Sequence, residues 1–262
     1  MFFLNFIKRN ARRFLSHNFL LKIKFLKLHI ISKFNRLMGN SYISNPRETI
    51  HIESTSYCNL NCVFCAYGKK STPKINVSIE HFKKRALQAI SAGYKGIDLT
   101  PITGDVFMDK NFIEKLDFLE TCDDLEYFYF YTNAVLLNED KIKKIFNYKK
   151  LKYIRLSIYG HNLDSFLKIT RGNNNEYNRL IDNLKKLLTY EKSFFNNRLF
   201  VNFKSNYDFD INSYESKPKY KNSELAEITK KLAKKLGLFL NEPYTLNNWG
   251  GLITNDPKEL KN

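Results

Sequence analysis

The stretch TIHIESTSYCNLNCVFCAYG, Thr49 to Gly68, runs a short β-prone segment (49–54) straight into a loop that crowds Cys58, Cys62 and Cys65 into eight positions. Outward from this junction, β-prone and helical runs alternate. VSIEHFKKRALQAISAG reads as a helix started near Ser78 and stopped at Gly93, followed by a strand in GIDLTPIT (96–103). NFIEKLDFLETC is helical, and LEYFYFYTN (125–133) is a strongly β-prone aromatic run. NEDKIKKIF, NEYNRLIDNLKKLLTY and SELAEITKKLAKKLG (223–237) read as helices; LKYIRLSIYG (151–160), RLFVNFKSN (198–206) and LFLNEPY (238–244) read as strands. Six β-runs separated by helices have the spacing of right-handed βα crossovers, so the sheet is expected to be mostly parallel and the fold α/β. Periodicity alone leaves an open doubly wound sheet and an incomplete barrel both standing. The polar, aromatic segment 206–222 reads as a long loop on one face.

The bulk composition agrees with a folded chain. At 262 residues, 43% hydrophobic and 15% aromatic, it can bury a core, and no repeat or low-complexity linker interrupts it. The formal charge of +17 invites a nucleic-acid reading, yet ten Lys and Arg residues and no acid precede Glu48, so more than half of the excess sits in the first 47 residues. Residues 1–45 therefore form a separate basic segment, followed by a core over 46–253 and a tail at 254–262. In the basic segment Ile23, Leu26, Ile30, Phe34 and Leu37 recur at helical spacing with lysines between them. This N-terminal amphipathic helix either packs with a solvated lysine face or lies on an anionic membrane or a partner.

Four cysteines in this length do not make a disulfide scaffold, and three so close together suit a reducing, cytoplasmic compartment. The opening MFFLNFIKRNARRF puts apolar residues before charges, the reverse of a secretory signal, and no apolar run reaches the roughly 20 residues that span a bilayer.

Three readings fit the cysteine loop. A structural zinc site wants four protein ligands, and the nearest further candidates, His51 and His81, lie on a strand and in the first turn of a helix. A redox thiol needs fewer than three neighbours. An iron–sulfur cluster takes thiolates, usually four, and three suffice if one iron is left for another ligand. Cys122, 57 residues beyond Cys65, reads as a small buried hydrophobe.

Cys58-x3-Cys62-x2-Cys65 after a first strand, with Phe64 before the last cysteine, resembles the radical S-adenosylmethionine (radical SAM) enzymes. The resemblance runs over most of residues 47–252. It implies an incomplete (βα)6 TIM-like barrel, and three cysteines holding a 4Fe-4S cluster whose open iron is chelated by S-adenosylmethionine. LTPITGDVFMD (99–109) looks like the family's Gly-Gly-Glu region, here reduced to Thr103-Gly104-Asp105, which would hold the methionine amino group. FYTNAVLL (130–137) resembles a Thr-Asn-Gly stretch with Ala134 in place of glycine. LSIYGHNLDSFLKITRG (156–172) resembles the fourth-strand region, which gives Ser157 a contact with the ribose or carboxylate and Arg171 a carboxylate pairing. Phe64 would meet adenine and Asn202 the nucleoside. NNWGGLI (247–253) resembles the junction that precedes a SPASM-type extension, and no further cysteines follow it.

The activity implied is reductive cleavage of S-adenosylmethionine and hydrogen abstraction from a peptide or sugar-type metabolite, with flavodoxin or ferredoxin as reductant. Two other functions compete: a catalytically impaired interaction protein of the same fold, and a zinc-stabilised nucleic-acid binder.

Overall fold

A computed structural model describes residues 26–27, 29–34, 37–38, 49–205, 209, 211, 214–220 and 222–238. The chain divides into two units, Met1–Pro46 and Arg47–Asn262. In the first, residues 26–27, 29–34 and 37 are helical, as the apolar spacing anticipates. No helix among the described residues is long and apolar enough to cross a membrane.

Among its described residues the second unit is an α/β structure around five parallel strands in the order β1-β2-β3-β4-β5. They are β1 (Thr49–His51), β2 (Gly96–Asp98), β3 (Tyr127–Thr132), β4 (Leu151–Tyr159) and β5 (Leu199–Lys204). The helices are α1 (Ile79–Ser91), α2 (Phe112–Thr121), α3 (Glu139–Phe146), α4 (Leu163–Thr170), α5 (Asn174–Thr189), α6 (Lys192–Phe195) and α7 (Glu224–Leu236). Start and stop signals act where the sequence places them: the Ser78 hydroxyl accepts from the His81 amide to begin α1, and Gly93 follows its end at φ 93°.

Alternation along the strands separates two faces. Phe128, Phe130, Ile154, Leu156 and Ile158 are buried and join the helical residues Phe82, Leu116, Ile142, Leu184 and Leu232 in one core. Tyr127, Tyr129, Tyr131, Tyr153, Arg155, Ser157 and Tyr159 occupy the opposite face, half-buried, with Tyr129 and Tyr153 stacked at 4.5 Å. A doubly wound sheet would bury both faces under helices. One apolar and one polar, aromatic face is the wall of an open, partial barrel, which resolves the choice left by periodicity.

β1 and β2 are shorter than their β-prone runs, 49–54 and 96–103. The ladder continues briefly, with Ile52 N–H bonded to Asp98 O and Leu99 N–H to Tyr129 O, both at 2.9 Å, before each chain turns into a site loop. The short helices α4 and α6 interrupt stretches not read as helical. α4 has a reciprocal capping box, Asn162 with Ser165, directly after Gly160. Gly160 sits at φ 83°, and a Cβ there would lie 2.6 Å from the Phe166 nitrogen, so no L side chain fits the β4–α4 turn. Segment 206–222, expected as a loop, contains 3-10 turns at Tyr214–Ser216 and Pro218–Tyr220, and buries Tyr214 and Tyr220. The sixth β-run falls, apart from Leu238, outside the described residues.

Candidate functional site

The cysteine loop leaves β1 and is closed at its base by a short antiparallel contact. Ser56 N–H bonds Ile75 O at 2.9 Å, Val77 N–H bonds Ser54 O at 2.9 Å, and Thr55 bridges Asn76. Its middle is seated on the last turn of α4, where Asn61 N–H reaches Thr170 O (3.0 Å) and Val63 N–H reaches Ile169 O (2.9 Å). Its end is a 3-10 turn, Ala66–Lys69, started by the Cys65 sulfur accepting from Tyr67 N–H at 3.4 Å. The Tyr67 hydroxyl returns across the loop to Cys58 O at 3.1 Å. The loop is thus fixed at its base and middle by main-chain bonds and at its end by the Cys65 sulfur and the Tyr67 hydroxyl, which hold the thiols without a disulfide.

Cys58, Cys62 and Cys65 are free and half-buried. Burial pushes the Cys58 thiol up to about 12, helped by the Asp105 carboxylate and opposed by the Leu60 N–H. Burial, then the neighbouring Cys58 and Cys65, holds Cys62 well above the ordinary thiol range, and burial also raises Cys65. The three thiols thus sit within each other's fields. Among the described residues no three His, Cys, Asp or Glu side chains form a group fit for one metal ion. A cube with one thiolate on each of three irons makes no such demand, because its ligands bind separate corners. His51 bonds the Thr100 carbonyl through Nε2, and His81 is exposed on α1. Three soft sulfur donors on one tethered loop suit a thiophilic centre such as an iron–sulfur cluster rather than a hard ion.

Metal binding must displace protons from such thiols. In the metal-free chain their folded values lie above the ordinary 9.0, so the stability they contribute is full below pH 9 and is lost as pH rises toward 12. The metal-free melting temperature is therefore expected to fall more steeply across that window than in a Cys58→Ser, Cys62→Ser, Cys65→Ser variant; parallel curves would contradict the assignment.

The loop after β2 packs against the start of the cysteine loop. A Cβ on Gly104 would lie 2.9 Å from Tyr57 O, and Asp105 N–H donates to that same carbonyl at 2.8 Å. The Asp105 carboxylate is buried at 1% exposure and turned inward. One oxygen accepts from Phe107 N–H (3.0 Å), the other from the Thr132 hydroxyl (2.8 Å) and Asn133 N–H (2.7 Å). Burial nonetheless raises its pKa. Asp105 therefore ties the β2 loop to the end of β3.

Asn133, not singled out as a site residue from sequence, continues the connection: its Nδ2 donates to Asn59 Oδ1 at 2.9 Å and lies 3.9 Å from the Cys58 sulfur. The Thr-Asn stretch that contains it was the available signal. Ala134 takes φ 66°, the left-handed conformation that glycine holds without strain, and the Asn183 amide grips its carbonyl at 2.9 Å.

β4 and β5 bring Ser157 and Asn202 into register as neighbours. The Asn202 oxygen accepts from Arg155 at 3.4 Å, and Arg155 lies over Tyr131 at 5.1 Å. Phe64 packs on Tyr159 with ring centroids 4.9 Å apart, joining the cysteine loop to β4. Burial, then the charge of Cys62, raises the Tyr159 hydroxyl, which pairs with Ser157. Arg171 caps α4 at φ 51°, is exposed, and its charge reaches Cys62. Cys122 stands apart at the end of α2, its thiol directed to Phe118 O at 3.4 Å.

The sequence model described as the Radical SAM superfamily matches residues 52–203, from the end of β1 to β5. No curated protein matches the chain. Among solved structures it is similar to BtrN in complex with AdoMet and 2-DOIA, at 13% identity and TM-score 0.46 over 62% of this chain and 58% of that one. It is similar to HydG, a maturase of the [FeFe]-hydrogenase, at 13% and 0.45 over 81% and 48%. It is similar to Streptococcus suis SuiB bound to precursor peptide SuiA, at 15% and 0.41 over 92% and 66%. The chain spans less than two thirds of the length of BtrN and of HydG. Superfamily members bind a 4Fe-4S cluster and S-adenosylmethionine. With the match covering more than half of its length, the chain belongs to the radical SAM superfamily.

Proposed function

We propose that the chain is a cytoplasmic radical SAM enzyme in which Cys58, Cys62 and Cys65 hold three irons of a 4Fe-4S cluster. The reading is supported above all by three free thiols on one loop seated on α4 and raised by burial. Bound there, such a cluster would supply the one-electron reduction of S-adenosylmethionine that hydrogen abstraction from a substrate C–H bond requires.

The protein's own contribution is placement and exclusion of water. Phe64 and Tyr159 form an aromatic wall suited to adenine. Ser157 and Asn202, side by side on β4 and β5, offer a hydroxyl and an amide to the nucleoside. The exposed Arg171 guanidinium suits the methionine carboxylate. Gly104 keeps the β2 loop narrow, so its backbone can receive the amino group, while Asp105 fixes that backbone from behind. The half-buried face of Tyr129, Tyr131, Tyr153 and Arg155 suits a peptide or sugar-type metabolite, with rings to stack and a cation to orient it. Flavodoxin or ferredoxin would supply the electron.

Anaerobic reconstitution with iron and sulfide tests this. The expected result is a brown protein with four irons per chain that releases 5′-deoxyadenosine on addition of dithionite and S-adenosylmethionine. A colourless product that binds zinc overturns it. A second reading, a cluster-bearing interaction protein without turnover, is favoured by the inward-turned Asp105 carboxylate. That reading requires a brown protein that leaves S-adenosylmethionine intact.

A further inference from the structure

We propose that the helical residues 26–27, 29–34 and 37, with Met38, form a docking surface for an anionic lipid bilayer, lying in the headgroup plane. Its described large apolar side chains are all exposed: Leu26 60%, Ile30 58%, Ile31 45%, Phe34 61%, Leu37 85% and Met38 63%. At about 100° per residue, Leu26, Leu37, Ile30 and Phe34 fall within an arc of about 80°, and Met38 and Ile31 extend it to about 140°. Ser32 and His29 fall on the opposite side of the helix, and Lys33 borders the arc beside Leu26. Lys27 lies inside the apolar arc, where its stem can follow the apolar surface while the ammonium reaches the headgroups.

Charge decides what covers this stripe. Residues 1–47 hold ten Lys and Arg and no Asp or Glu. A second copy of the chain would bring two such cationic segments together with no acid to neutralise them. A nucleic acid would satisfy the cations and leave six apolar side chains against water. An anionic bilayer supplies both an acyl boundary for the stripe and negative headgroups for the cations. No helix among the described residues is long and apolar enough to cross the roughly 30 Å of hydrocarbon, so the proposed attachment is on the surface.

The test is co-sedimentation of the full chain with vesicles of phosphatidylcholine alone or of equimolar phosphatidylcholine and phosphatidylglycerol. Binding to the anionic vesicles is expected to be at least about tenfold tighter and to weaken as salt rises. The variant Ile30→Ser, Phe34→Ser, Leu37→Ser is expected to lose it by a similar factor, and Lys27→Glu, Lys33→Glu to weaken it with all six apolar residues unchanged. Equal binding to both vesicles overturns the proposal. So does undiminished binding by the stripe variant, or a lipid-free dimer that this variant abolishes. The cluster plays no part in these measurements, so their outcome stands apart from that of reconstitution.

Discussion

Cys62→Ala is expected to leave the anaerobically reconstituted chain with less than about a tenth of the wild-type iron and no detectable 5′-deoxyadenosine. A four-iron cluster on three protein ligands already has one fewer than most, and losing the central cysteine exposes a second corner. The effect on folding should be small by comparison. Deleting one half-buried sulfur removes about 1 kcal/mol of packing, so far-UV circular dichroism and the urea midpoint should stay near wild type. Cys122→Ala is the matched control: it removes a sulfur of similar burial from the end of α2, and iron content should not change. If Cys122→Ala empties the protein and Cys62→Ala does not, the ligand assignment is wrong. Iron content is the decisive reading, since it reports the ligand set without requiring a substrate.

The largest stability effect is expected at Lys115. Its ammonium is fully buried on α2, 2.6 Å from the equally buried Asp109, and it also donates to Val77 O at 2.5 Å and Ser54 O at 3.5 Å, with the Phe82 ring 5.4 Å away. Those two carbonyls flank the base of the cysteine loop, so one cation joins α2, the β2 loop and both ends of the site loop. Lys115→Ala leaves the Asp109 carboxylate buried and uncompensated, at a cost of about 3–5 kcal/mol. In urea titration the midpoint should fall accordingly. Lys115→Met with Asp109→Leu removes both charges and should recover most of that loss. It does not restore the donors to Ser54 and Val77, so the double variant should fold yet release iron faster than wild type. Full recovery of both stability and iron retention would show that the ion pair has no bearing on the loop.

The parts of the fold legible in the sequence are those written in local pattern. Tyr127–Thr132 alternates strictly, so both its strand character and its two faces follow from the order of residues. The cysteine spacing is covalent and equally readable. What escaped depends on partners far apart along the chain. Asp105 looked like a ligand for the cofactor's amino group, but Thr132 and Asn133, 27 and 28 residues away, supply donors that turn its carboxylate inward. Phe64 and Tyr159 are almost a hundred residues apart, and only the parallel order of β1 through β4 brings their rings together. Helix α4 escaped for a different reason: Asn162 and Ser165 cap it through a side-chain exchange that lacks the usual acidic partner, and Gly160 before it read as the end of a strand.

The attachment of the loop to α4 has an evolutionary corollary. Both bonds that seat it, from Asn61 to Thr170 and from Val63 to Ile169, join main-chain atoms only. The two bonds therefore measure chain length, while side-chain identity enters only through packing, as at the buried Ile169. The two bonds themselves exclude only proline at residues 61 and 63, whereas one insertion or deletion between Cys58 and Cys65 would slide every thiol off its mark at once.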